Sequence, residues 1–119
     1  MHFASLVVAA LVGLLHVYFM VLEMFLWEKP MGLKTFNMDA QKAAMTAQLA
    51  KNQGLYNGFL AAGLAWAVVH PDLGVQVQLV RFFFGCVIVA GLYGAATVSK
   101  RIFFVQSMPA IIGLILASI

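Results

Sequence analysis

Four polar side chains, Asn52, Gln53, Tyr56 and Asn57, crowd into the run KNQGLYNGFLAAG between Lys51 and Gly63, just ahead of a strongly apolar segment. Amides and a phenol both donate and accept hydrogen bonds without carrying charge, so such a cluster can orient a polar group. Upstream stand one carboxyl, Glu23, and one imidazole, His16. Seven residues apart on a helix, these two lie within about 20° of each other. Asn52 shares a helical face with Tyr56, and Gln53 shares one with Asn57, because each pair is four residues apart. Later in the chain come Tyr93, Thr97 and Gln106. The chemistry these types suggest is binding of a small amphipathic or apolar ligand, with Glu23 able to exchange a proton. The sequence contains no metal-ligand set and names no cofactor. The single Cys86 reads as a small packing residue.

The elements that must position these groups are set by composition. Of 119 residues, 64% are hydrophobic and 9% charged, where a soluble domain has about a quarter of its residues charged. The chain therefore reads as one integral membrane domain. A span of the hydrocarbon core needs about 20 mostly apolar residues, and such stretches occur at about 3–27, 50–69, 76–98 and 102–119. They show no period-two alternation, so they are expected to be helices. The first has no Lys or Arg before it and a long apolar run, unlike a cleavable signal peptide. The second is expected to extend back to residue 40 as one rod over 40–70, with Asn37 or Asp39 as its cap. Pro71, Asp72 and Gly74 suit a compact outer turn. Pro109 lacks the N–H that would pair with Val105, and should kink the fourth helix near Gln106.

Orientation follows from charge. Lys29, Lys34, Lys42 and Lys51 flank the first loop, Lys100 and Arg101 the third, and only Arg81 lies toward the opposite side. Six basic residues against one put the first and third loops in the cytoplasm and both termini outside, in a multi-pass protein of the bacterial inner membrane. The basic balance reads as topogenic, and no basic–aromatic cluster points to nucleic acid. With that orientation, Glu23 lies about 6 Å inside the first helix, counted from Trp27. The polar groups of the other three helices fall within about 9 Å of their own inner boundaries. All four helices thus offer hydrogen-bonding groups to one inner slab, and the candidate pocket comprises His16, Glu23, Asn52, Gln53, Tyr56, Asn57, Tyr93 and Gln106. Each has a structural reading beside it: the amides as glue between helices, His16 as an interhelical hydrogen-bonding residue, and Met20, Met24 and Met31 as lining.

The stretches LEMFLWEKPMGLKTF and KNQGLYNGFLAAG, with His16, Glu23, Trp27 and the Gln106/Pro109 pair, resemble a family of small bacterial membrane proteins of unknown function. That resemblance covers nearly the whole chain and implies four membrane helices. The plan is also similar to membrane-associated proteins of eicosanoid and glutathione metabolism, whose second helix carries Arg-x-x-x-Asn-x-x-Glu. Asn52 matches the Asn, while Gln48 stands for the Arg and Leu55 for the Glu. The small multidrug-resistance exporters are similar in length and in a first-helix carboxyl, which would make Glu23 a proton-coupling group.

The expected molecule is an all-α, integral membrane four-helix bundle of antiparallel hairpins, with a cytoplasm-facing polar pocket. Its readings are ligand binder or membrane enzyme, proton-coupled exporter, or structural subunit. Stripes of small residues (Gly54 and Gly58; Cys86, Ala90 and Gly94; Gly91 and Ala95; Gly113 and Ala117) mark close helix contacts. They lead to the expectation of a homo-oligomer in the bilayer, and the similarity to the glutathione-metabolism proteins, which form trimers, implies a trimer ahead of a dimer.

Overall fold

The computed structural model describes residues 1–119, and every regular element in it is helical. The elements are α1 (Ala4–Phe25), α2 (Pro30–Thr35), α3 (Ala40–Val69), α4 (Leu73–Thr97), a π-helical turn over Phe103–Ser107, and α5 (Met108–Ser118). Both α1 and α4 are long and apolar enough to cross a membrane, and the last helical stretch is a shorter apolar one. Two compact units divide the chain, one of Met1–Leu14 with Leu60–Ile119, the other Leu15–Phe59.

In the first unit, Val80, Phe84 and Val87 repeat at four- and three-residue steps along α4, the spacing of one helical face. They are fully buried with Ala9 of α1, Leu64 and Ala67 of α3, and Ala110 and Ala117 of α5. Small residues make room for large ones here. A Cβ on Gly113 would come 2.4 Å from the Phe84 ring, and one on Gly63 would come 2.2 Å from Phe83. α4 begins at Leu73, earlier than position 76, because Asp72 accepts a hydrogen bond from the Val75 amide at 3.0 Å and caps it. Gly74 therefore lies inside the helix and the turn is shorter than expected. Buried Gln76 closes the junction by donating to the carbonyls of Ala67 and Val68, at 3.0 and 3.1 Å, near the end of α3.

The expected disturbance at Pro109 takes the form of the π turn. The Met108 N–H bonds the Phe103 carbonyl, five residues back, where an α-helix reaches four. Pro109 has no N–H to continue the regular ladder. Ser107, the last residue of that turn, is fully buried and donates from Oγ to the Ile88 carbonyl at 3.0 Å. Gly91 of α4 is what admits it, since a Cβ there would lie 2.0 Å from that hydroxyl.

The second unit holds the end of α1, α2 and the first two-thirds of α3. α2 is an element beyond the four expected spans, and it opens on Pro30. Proline is at home in the first turn of a helix, where its missing N–H costs nothing. Gly32 seats α2 against the end of α1, for a Cβ would meet the Leu26 carbonyl at 2.1 Å. Asn37, at φ 52, occupies the left-handed position after α2. Met38 and Asn37 then donate back to Leu33 and Lys34, at 2.9 and 3.4 Å, in a Schellman closure. The next helix is capped by Asp39, whose Oδ1 accepts from the Lys42 amide at 2.7 Å.

Candidate functional site

Glu23 and Asn57 meet inside the second unit. Glu23 is 3% exposed and Asn57 9%, and Asn57 Nδ2 donates a hydrogen bond to Glu23 Oε1. The approach of α3 to α1 that allows this depends on two glycines flanking Asn57. A Cβ on Gly54 would come 2.6 Å from Met24 Cγ and 3.0 Å from Glu23 Cβ, while one on Gly58 would come 2.8 Å from the Met20 sulfur. The spacing Gly54-x-x-x-Gly58 is the small-residue pattern that lets helix backbones close up. Met20 and Met24, flexible and polarizable, fill the remaining space.

Two turns earlier on α1, and on the same face as Glu23, His16 is fully buried with its ring edge-on to Phe19 at 5.7 Å. The remaining candidates on α3 point elsewhere. Asn52 and Gln53 are exposed, and Tyr56, 59% exposed, packs edge-on against Phe59 at 5.6 Å. In the other unit, Tyr93 is 72% exposed and its carbonyl accepts the Thr97 hydroxyl at 2.7 Å. Gln106 lies half-buried in the π turn. No three His, Cys, Asp or Glu side chains gather as metal ligands.

Chemically, the pair joins an acceptor to a donor that keeps further capacity. A primary amide has a second N–H and a carbonyl oxygen, and a carboxyl has a second oxygen that accepts, or donates when protonated. Each partner therefore keeps hydrogen-bonding capacity beyond the bond they share.

The family described as "Protein of unknown function (DUF1304)" matches residues 10–118. The chain belongs to that family. The match takes in every candidate from His16 to Gln106, Glu23 and Asn57 included. Among relatives, the chain is similar to "Uncharacterized protein YpaA" of Lactococcus lactis subsp. lactis (strain IL1403), 33% identical over 113 residues and spanning 93% of each chain. No solved structure matches. The family description and the relative's name specify no reaction or ligand, so the side chains carry the functional reading.

Proposed function

We propose that this DUF1304 protein is a multi-pass protein of the bacterial inner membrane, whose buried Glu23–Asn57 pair holds the polar group of a small amphipathic or apolar ligand. In this reading α1, α3, α4 and the π turn with α5 form the spans of a four-helix bundle. Both termini lie outside, and the pair sits in the cytoplasmic half. The single observation that supports it is the interhelical hydrogen bond from Asn57 to Glu23.

The inward burial of Glu23 favours binding over glue. An acidic residue costs on the order of 2.5–3.5 kcal/mol at the middle of a membrane helix, and less at Glu23, two residues from the end of α1. An interhelical hydrogen bond in a bilayer returns only about 0.6 kcal/mol on average. A carboxyl near a helix end can escape that cost by snorkelling to water, yet Glu23 is turned inward onto Asn57. An inward carboxyl that repays so little as glue fits a functional group. The same geometry suits a proton-coupled exporter as a second reading, because a ligand displacing the amide would change what stabilises the carboxyl.

A thermal-shift screen of amphipathic small molecules against the protein in nanodiscs tests the binding reading. At least one chemical class raises the melting temperature of the wild-type protein by several degrees at saturating concentration, as ligand linkage requires. The response is lost in Glu23→Gln, whose amide still accepts from Asn57. No responsive class, or an equal response in Glu23→Gln, overturns it.

A further inference from the structure

A cleft of about 410 Å³ opens in the second unit beside the end of α1. That volume lies toward the small end of the roughly 300–1,000 Å³ typical of ligand clefts. Its apolar lining comes from Met24, Phe25, Trp27 and Ala47, and its charged lining from Lys29, Lys51 and Glu28. Two cations against one anion leave a net positive cleft with two aromatic side chains in its lining.

One wall, Trp27, is fixed before any ligand arrives. Trp27 Nε1 donates to Thr46 Oγ1 at 3.0 Å, and that hydroxyl donates on to the Lys42 carbonyl at 2.8 Å. The indole also packs on Phe36 with ring centres 4.7 Å apart. A side chain held in this way loses little entropy when a ligand binds. Met24, which lines the cleft, also packs on Gly54, and Gly54 touches Glu23. The cleft and the Glu23–Asn57 pair are therefore adjacent.

We propose that this cleft binds the anionic head of a membrane amphiphile, with a carboxylate or phosphate on Lys29 and Lys51 and the first methylenes against Met24, Phe25 and Trp27. The proposal rests on the membrane reading above and gives its ligand a charge. Topogenic lysines need no shared site, and Lys34 and Lys42, equally basic and in the same loop region, do not line the cleft. Lys29 and Lys51 do, from opposite sides of the α1–α3 connection.

The test uses the two tryptophans. With Trp66→Phe, Trp27 is the sole indole. In phosphatidylcholine nanodiscs its fluorescence is titrated with a brominated fatty acid, a brominated phosphatidic acid and a brominated alkyl trimethylammonium of matched chain length. An anionic quencher acts at about tenfold lower concentration than the cation, and Lys29→Gln/Lys51→Gln abolishes that preference. Lys34→Gln/Lys42→Gln, the same change in net charge, leaves it in place. The tighter of the two anions assigns the head to a free acid or to a two-chain lipid. Equal midpoints for anion and cation, or equal loss in both lysine pairs, overturn the proposal. A Trp27→Phe variant in nanodiscs of brominated lipid separates the two failures. Unquenched Trp66 sinks the membrane reading, whereas quenched Trp66 with no charge preference at Trp27 sinks only the cleft.

Discussion

Glu23 and Asn57 are readable from the sequence as types in an apolar context, but their partnership is not. Spacing within α3 groups Asn57 with Gln53, whereas the fold buries Asn57 and leaves Gln53 exposed. What decides between them is the glycine track: Gly54 and Gly58 face α1, and Asn57 lies three residues beyond the first of them. Burial of both groups sets a stability prediction. Asn57→Leu strands the carboxyl without its donor and should cost about 1–3 kcal/mol in equilibrium unfolding. Adding Glu23→Leu removes the stranded group, so the double variant should recover most of that loss. A double variant no more stable than Asn57→Leu would show that the two side chains are not coupled.

Among elements, the start of the long α3 was legible because no Gly or Pro interrupts the chain from Ala40 until Gly54, and Asp39 caps where a cap was expected. α2 was not, and of the π turn the sequence showed the place but not the form. Both arise where proline meets tertiary packing, and a sequence shows the proline without the neighbour that receives the chain. For the π turn that neighbour is Gly91, which gives an element-scale prediction. Gly91→Ala forces a methyl into the Ser107 seat and should destabilise by about 1–3 kcal/mol. Gly85→Ala, on the same helix with nothing within 4 Å of its added carbon, should change stability little. Equal melting temperatures for the two variants would contradict the packing described for α4. Around α2, Trp27→Phe removes the indole donor to Thr46. Amide hydrogen exchange over residues 30–36 should then speed up by several-fold, the scale of one lost hydrogen bond. Unchanged exchange there would mean that the indole does not hold α2.

For the whole molecule, composition and charge led to a membrane protein with outward termini. A reporter fused after Ile119 should be active only outside the cytoplasm, and activity inside would reverse the orientation. Assembly stands on narrower ground than the small-residue stripes alone suggest. Gly54, Gly58, Gly91, Gly94 and Gly113 all meet side chains of their own chain, and Gly85 is the glycine with open space. The homo-oligomer we propose, trimer ahead of dimer, thus has to draw on faces such as that of Gly85. The central claim is that a ligand is held at Glu23–Asn57, and native mass spectrometry of protein released gently from nanodiscs measures this directly. Wild-type protein should carry a reproducible small-molecule adduct that Glu23→Gln lacks, with the subunit number and melting temperature of the variant unchanged. A wild-type protein that is bare of adduct, or an adduct equally present on Glu23→Gln, would contradict the account.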